Sequence, residues 1–353
     1  MTPTRTPLRV GVVGAAYASG AHLPVYTALA AEGVVELVAV ATARRETAEA
    51  AARGSGAARA HVGFEALCAD PDVDLVDVAT RPSRHRAMAE AALAAGKHVL
   101  SEAPLAATTA EGESMVAAAD RAGRLGLVDL QSRFWPGVLE LRRLVREGWI
   151  GHVENVAATA FHPTFTAPAA VRASGWCAEA EHGASSLRVH GLHTVDLLRF
   201  ALGELTDVRG SVATRRPDWP GPDGPLPVTS VDSAAFTARI GPGPGEGAVC
   251  SVHTSWVARF GAGFRLVVHG SDGVLVASAA GHTGHFPVGL EGARAGEPGL
   301  RELVPGDGER TAPFTELVRR LAARVAGAAE PDLPDFADGL AALRVADAVE
   351  RPT

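Results

Sequence analysis

The sequence predicts a two-domain protein in which an α/β domain precedes an α+β domain. The first 130 residues alternate apolar strands with alanine-rich helices, the pattern of a doubly wound parallel sheet of the Rossmann type. Beyond about residue 135, strand-like runs follow one another through turns rich in Gly and Pro, which favours a mostly antiparallel open sheet. We therefore predict a Rossmann dinucleotide-binding domain over residues 1–130. Residues 131–353 are predicted to form an α+β domain that carries the substrate site, with C-terminal helices that can pack back on the first domain.

Five buried strands are predicted in the first domain, each an apolar run too short for a helix. They are Leu8–Val13, Val35–Ala41, Val73–Ala79, His98–Ser101 and Leu125–Leu130. Helices are expected between them, including Ser83–Ala95 and Thr108–Arg121. Because strands and helices alternate at this spacing, the crossovers should be right-handed and the sheet parallel.

Six strands and four helices are predicted in the second domain. The strands are Val153–Phe161, Asp207–Thr214, Val231–Ile240, Ala248–Trp256, Gly263–Val268 and Gly273–Ala277. The helices are Trp135–Glu147, Leu187–Ala201, Pro313–Ala328 and Asp335–Glu350. Two glycine- or proline-rich segments are interpreted as a turn region, Arg216–Pro227, and as a mobile loop of low functional weight, Thr283–Arg301.

Composition narrows the class of protein. The 33 Lys and Arg against 40 Asp and Glu give a net charge of −7, without the basic patch of a nucleic-acid-binding protein. There is no apolar run long enough to span a bilayer and no separate signal-peptide core, so a cytoplasmic location is expected. The three cysteines, Cys68, Cys177 and Cys250, are far apart, which favours reduced thiols.

The turn after the first strand carries a modified dinucleotide fingerprint, Gly14-x-Ala16-x-x-Ser19. Its glycines ordinarily permit the tight turn and the close approach of a pyrophosphate, which then meets the N–H groups at the helix start. We predict cofactor contacts at Gly14, Ala15, Ala16 and Ser19. The alternative is a plain βα turn that binds nothing.

The end of the second strand favours NADP(H) over NAD(H). An NAD enzyme often places Asp or Glu there, and this chain has Thr42, Arg44 and Arg45 instead. Guanidinium groups suit a 2′-phosphate. The alternative is a solvated helix start that carries charge for solubility.

Several motifs follow in order along nearly the whole chain. They are Arg9–Gly14 with His22-Leu23-Pro24; Asp70–Thr80 with Pro82 and His85; Gly96–Leu100 leading into Glu102-Ala103-Pro104; Gln131-x-Arg133-Phe134-x-Pro136; Gly191-x-His193-x-x-Asp196; and Asp338-Gly339. This order resembles the Gfo/Idh/MocA family, which includes glucose-fructose oxidoreductase and inositol dehydrogenase.

The resemblance implies hydride transfer between a nicotinamide cofactor and a sugar, cyclitol or related carbonyl compound. It also implies a homodimer or homotetramer that pairs through the second-domain sheet, with no nucleic-acid or membrane partner. Further cofactor contacts are implied at Thr80, Pro82, His85, Glu102, Ala103, Arg133 and Trp176. His162 and Phe165 are candidate pocket residues, with a surface loop as the alternative.

Two of the family's acid–base residues are absent here. The resemblance places the family's lysine at Ala103, its aspartate at Val189 and its histidine at His193. His190 lies three residues before His193, so the two can share a helix face. We predict His193 and His190 as catalytic residues, with packing against the sheet as the alternative for His190. No third ligand is fixed by spacing, so no metal site is expected.

The resulting hypothesis is an NAD(P)-dependent oxidoreductase that acts on a sugar, cyclitol or imine-type substrate. Two alternatives remain open. One is an enzyme that retains its nicotinamide and catalyses no net redox change. The other is a non-catalytic protein that binds a ligand or partner.

Overall fold

The computed structural model describes residues 6–351, which form two compact units. The first contains the chain up to Asp129 together with Phe314–Leu340, and the second contains Leu130–Pro313 and the residues from Ala341 onward. This division differs from a single boundary after residue 130, because the later segment adds to the first sheet. There the Val128 N–H donates to the Pro334 carbonyl at 3.1 Å.

The strands, numbered along the chain, form two large sheets and a small hairpin. They are β1 (Leu8–Val13), β2 (Val35–Thr42), β3 (Arg59–Val62), β4 (Leu75–Val78), β5 (His98–Ser101), β6 (Gly126–Val128), β7 (Val153–Phe161), β8 (Leu205–Ala213), β9 (Asp218–Gly221), β10 (Gly224–Pro227), β11 (Ser233–Ile240), β12 (Val249–Ser255), β13 (Gly263–Gly270), β14 (Gly273–Ala279), β15 (Gly289–Arg294) and β16 (Arg301–Val304).

Ten α-helices accompany them in the described part of the chain. They are α1 (His22–Ala31), α2 (Arg45–Ser55), α3 (Phe64–Cys68), α4 (Pro82–Ala94), α5 (Thr109–Ala122), α6 (Pro136–Arg146), α7 (Pro168–Ser174), α8 (Leu192–Leu202), α9 (Ala312–Val325) and α10 (Phe336–Glu350). Between residues 6 and 351, no helix combines the length and the apolarity needed to cross a bilayer.

The first unit contains a parallel sheet in the order β3-β2-β1-β4-β5-β6, which confirms the predicted Rossmann architecture. The strand order reverses between β1 and β4: β2 and β3 are added on one side of β1, and β4, β5 and β6 on the other. Doubly wound folds bind their ligands at this position. Strand β3 is missing from the prediction. Its sequence Arg-Ala-His-Val is short and only partly buried at the sheet edge, so it lacks an apolar run.

The second unit contains an eight-stranded sheet in the order β16-β15-β14-β13-β7-β12-β11-β8. Within this sheet, β7 and β12 are the one parallel pair among the described strands, which confirms the predicted, mostly antiparallel sheet. The predicted helix Leu187–Ala201 is present, but it opens with a π-helical turn, Leu187–Gly191, before α8 begins. Such turns interrupt the regular helix and often occur at functional sites.

The two segments predicted to be a turn region and a mobile loop both contain β-strands. The supposed mobile loop Thr283–Arg301 contains β15 and the start of β16, and Arg216–Pro227 contains the β9–β10 hairpin. The glycines of β15 serve close packing: a Cβ on Gly289 would lie 2.8 Å from the Gly306 nitrogen. The glycine-rich composition of Thr283–Arg301 does not show whether its glycines serve close packing or a mobile loop.

Candidate active site

The turn after β1 is shaped by Gly14. Its φ is +105°, and a Cβ there would lie 2.2 Å from the Ala79 carbonyl oxygen at the end of β4. No side chain is compatible with this approach. In the described chain the N–H groups of Ala15 and Ala16 donate to no protein acceptor, and Ala16 is exposed. The turn therefore fits the phosphate groups of a dinucleotide.

A cavity of about 960 Å³ lies beside this turn. Its lining includes the predicted residues Ala15, Ala16, Ser19, Thr42 and Arg44. The lining contains no carboxylate, and Arg44 is its one cation. By contrast, Arg45 is not in the lining; its guanidinium lies 3.7 Å from Glu49 on the same helix.

The loops after β4 and β5 are joined by His85. Its Nδ1 lies 3.1 Å from the Pro104 carbonyl and its Nε2 lies 3.0 Å from the Thr80 carbonyl. The side chain is fully buried, and burial lowers its pKa below the usual value. The structure therefore gives His85 a positioning role for the loops that carry Thr80 and Ala103. Pro82 begins α4 beside it.

A buried group of charges surrounds His22 at the start of α1. Its Nδ1 lies 2.7 Å from Asp77 in β4, and its Nε2 lies 2.8 Å from Glu102 and 3.5 Å from Asp129, which follow β5 and β6. The contact to Glu102 is close but lacks hydrogen-bond alignment, so it is an ion pair. Because three parallel strands end here, their carboxylates meet at one edge of the sheet.

The charges around His22 decide its protonation. Burial alone lowers the pKa of its imidazole, but Asp77, Asp129 and Glu102 together raise that pKa well above 6.5. The ring of Phe314 also stacks on His22, with centroids 4.2 Å apart. His22, Glu102 and Asp129 have the donor types and spacing of a metal site. Ion pairs between a protonated His22 imidazole and these carboxylates explain the same short His22–carboxylate distances without a metal ion.

Arg133 is held within the second unit by a buried ion pair. Its Nε donates to Asp196 at 2.8 Å and its second nitrogen donates at 2.6 Å, a bidentate arrangement. Both side chains are almost fully buried. This pair fixes the start of α6 against α8, while the predicted cofactor contact of Arg133 stays a prediction.

Five histidines converge in the second unit, and we call this group the histidine pocket: His162, His190, His193, His282 and His285. The ring centroids of His190 and His282 are 4.4 Å apart, and those of His193 and His282 are 4.8 Å apart. The two predicted catalytic histidines therefore both contact His282. Arg188, their neighbour in sequence, is instead paired with Glu350 at 2.7 Å.

His193 is oriented by a chain of hydroxyl groups. Its Nδ1 lies 3.0 Å from Ser132 Oγ, which donates to Thr283 Oγ1 at 3.2 Å. All three side chains are buried. Because Nδ1 is engaged, the opposite nitrogen, Nε2, is the atom that this arrangement presents for proton transfer.

Aromatic side chains pack against the histidine pocket. Phe165 stacks on Trp219 with ring centroids 4.0 Å apart, and Trp256 meets both the Phe165 and the His190 rings edge-on. Val189, at the family's aspartate position, packs against this aromatic group, as does Trp176. The cluster explains how an apolar residue is accommodated at position 189, and it gives Trp176 a packing role.

Three rings of the histidine pocket, those of His162, His190 and His282, are held in the neutral form by burial. Burial lowers the pKa of His162 to about 4. Burial also lowers the pKa of His190 and of His282 well below the usual value, and repulsion from neighbouring imidazoles adds to the effect. These rings are neutral at pH 7, each with one donor and one acceptor nitrogen.

Sequence reasoning missed two parts of these sites. His22 was noted only as part of a motif, although the carboxylates that surround it follow predicted strands. His285 lies in the segment interpreted as a loop and His282 directly precedes that segment, and no spacing rule links them to His190. The short Gly-His-Thr-Gly-His sequence from residue 281 was the only available signal.

Comparison with known proteins identifies the family of the chain. Residues 8–130 match the model of an oxidoreductase family with an NAD-binding Rossmann fold, and residues 138–276 match the Gfo/Idh/MocA C-terminal domain.

Two curated relatives and one solved structure are similar over much of the chain. dTDP-3,4-didehydro-2,6-dideoxy-alpha-D-glucose 3-reductase of Streptomyces violaceoruber is 32% identical over 99% of this chain and 95% of its own length. 1,5-anhydro-D-fructose reductase of Ensifer adhaerens is 32% identical over 68% of each. The structure of a levoglucosan dehydrogenase with NADH and levoglucosan is 25% identical, with a TM-score of 0.86 over 97% of this chain and 96% of that one. The chain belongs to the Gfo/Idh/MocA family of oxidoreductases.

Proposed function

We propose that this protein is an NADP(H)-preferring oxidoreductase that acts on a C=O/CH–OH or C=N group of a small, sugar-like substrate. The names of the related enzymes, which act on sugars or sugar derivatives, support the substrate class. The observation that carries the proposal is the hydrogen-bonded chain from His193 through Ser132 to Thr283. It supplies an acid–base group in a chain whose family lysine and aspartate positions hold Ala103 and Val189.

The first unit would hold the cofactor. Gly14 and the unengaged N–H groups of Ala15 and Ala16 would bind the pyrophosphate, with Ser19 beside them. Arg44 and Thr42 would bind the ribose 2′-phosphate, because the adjoining cavity offers a cation and no carboxylate. A carboxylate at that position would repel the 2′-phosphate and favour NAD(H) instead.

Reduction of a carbonyl to an alcohol consumes one hydride and one proton. A nicotinamide supplies the hydride when it is bound. Because the Ser132 hydroxyl donates to Thr283, Nδ1–H of His193 would donate to Ser132 and fix the ring. His193 would first take up a solvent proton at Nε2, and the resulting imidazolium would donate that proton to the substrate oxygen. In the direction of oxidation, the same nitrogen would accept the hydroxyl proton. An electrophilic C=N group needs less acid assistance, which suits a site without lysine.

Replacing His193 tests the proposed acid–base role. We expect His193→Gln to lower kcat by about 10²–10⁴-fold with little change in KM, because general acid–base catalysis has that magnitude. NADPH oxidation would be followed with sugar carbonyls and with cyclic imines, alongside Ala103→Lys. His269→Gln, which alters an exposed histidine of the same unit, is the control. If neither substrate class oxidises NADPH, or if His193→Gln keeps the parental kcat, the proposal fails.

Two substitutions test cofactor binding. Gly14→Ala should abolish NADPH binding in a calorimetric titration, since the added Cβ would collide with Ala79. Arg44→Ala should weaken NADPH binding about tenfold or more and leave NADH binding nearly unchanged. Gly299→Ala is the matched control, because a Cβ there meets nothing within 4 Å. Equal losses for NADPH and NADH in Arg44→Ala would contradict the preference for NADP(H).

A further inference from the structure

The histidine pocket contains buried nitrogen atoms that no protein group satisfies. Both ring nitrogens of His282 and the Nδ1 atoms of His162 and His190 lack a hydrogen-bond partner. Leaving such a group unpaired costs free energy, on the order of 1–3 kcal/mol each. Four unpaired nitrogens on three neighbouring rings therefore indicate a surface built to contact a polar ligand.

The rings are close enough for one small group to reach all three. Their centroids are 4.4 Å apart for His190–His282, 5.2 Å for His162–His190 and 5.8 Å for His162–His282. His162 is buried, whereas His190 and His282 are partly exposed, so the group opens to the outside of the unit. A ligand can therefore approach without unfolding the pocket.

The imidazoles of the histidine pocket can take up a proton, but no negatively charged group is found to act on His162, His190 or His282 in the described chain. The titratable groups that act on His282 are His190, His193, His285 and His162, and those that act on His190 are likewise histidines. None of the groups that act on His162, His190 or His282 in the described chain is a carboxylate. Repulsion between rings 4.4 Å apart also limits the pocket to about one added proton.

We propose that the histidine pocket binds a carboxylate group of the substrate, and that His162, His190 and His282 take up one proton as it binds. The proposal rests on the proposed function, because it names the class of its substrate: a sugar acid or a related monoanion. A bound carboxylate places a negative charge beside the buried imidazoles and so stabilises an added proton. Its oxygens accept hydrogen bonds from the N–H groups of the neighbouring rings. A dianionic phosphate is ordinarily matched by Arg or Lys, and neither acts on these rings.

Calorimetric titration of the whole protein saturated with NADPH tests this directly. The probes are D-glucuronate and D-glucose, which differ by one carboxylate on the same ring. We expect glucuronate to bind at least about tenfold more tightly than glucose. Titrations in two buffers of different ionisation enthalpy should show uptake of nearly one proton near pH 7, and the affinity for glucuronate should fall as pH rises.

Variants locate the effect in the pocket. His282→Gln and His162→Gln should each lose about tenfold in glucuronate affinity and most of the proton uptake, whereas His269→Gln should match the parent protein. Retained affinity and uptake in both pocket variants would overturn the proposal, as would equal binding of glucose and glucuronate, or binding of neither. Turnover of a neutral sugar carbonyl by a protein that binds glucuronate no more tightly than glucose would overturn this inference and leave the proposed function intact.

Discussion

Each unit encloses histidine side chains, and the neighbours of those side chains differ in charge. In the first unit His22 lies among Asp77, Glu102 and Asp129, which raise its pKa. In the second unit His282 and His190 lie among other histidines, and their pKa values are lowered. The comparison shows that burial does not by itself decide the charge of an imidazole; the carboxylates within reach decide it.

The largest predicted effect is the change in the free energy of unfolding when His22 is replaced. His22→Asn removes the imidazolium that pairs with the buried Asp77 and with the partly buried Glu102, so we expect the free energy of unfolding to fall by about 3–5 kcal/mol. Denaturant unfolding of the variant and of the parent would measure this. His269→Asn, at an exposed position, should change the free energy by less than about 0.5 kcal/mol. A loss at His22 as small as that of this control would mean that the charges there are already balanced.

The pH dependence of stability should differ in sign between the two histidine groups. The folded pKa of His22 is raised, so its contribution is fully present below about pH 6.5 and disappears as pH rises through that folded pKa. The folded pKa of His162 is about 4, so its contribution is present above about pH 6.5 and is lost as pH falls toward 4. For His162 the change is on the order of 3 kcal/mol.

Comparing the parent with His22→Asn and with His162→Gln across pH would separate these contributions. The difference between parent and His22→Asn should shrink on the alkaline side. The parent should lose more stability than His162→Gln on acidification. Parallel pH profiles for all three proteins would show that neither histidine changes its protonation on folding.

The smallest change in the free energy of unfolding is expected when His282 is replaced. His282→Leu removes two unpartnered buried nitrogens, so the free energy of unfolding should stay equal to that of the parent or rise by up to about 1 kcal/mol. His22→Leu, which removes the imidazolium paired with Asp77 and Glu102, is the matched variant and should destabilise strongly. If His282→Leu destabilises the protein as much as His22→Leu does, His282 must have partners that satisfy it.

The two regions also differ in how far the sequence predicts them. The parallel sheet follows from apolar runs and the Gly14 turn, since a buried strand and a glycine turn both have local signatures. The surroundings of His22 depend on carboxylates far along the chain that only the strand order brings together. The histidine pocket depends on His282, which follows β14 in a glycine-rich segment, and no local rule places it near His190.

Nitrogen NMR of the imidazole side chains tests the comparison most directly. Long-range ¹H–¹⁵N spectra, assigned with His22→Asn and His282→Leu, report whether each ring is neutral or an imidazolium. Near pH 7 we expect His22 to show two protonated nitrogens, because its pKa is raised, and His282 to be a neutral tautomer that stays neutral as pH falls below the usual imidazole pKa of about 6.5. A neutral His22, or a His282 already protonated near neutrality, would contradict the account.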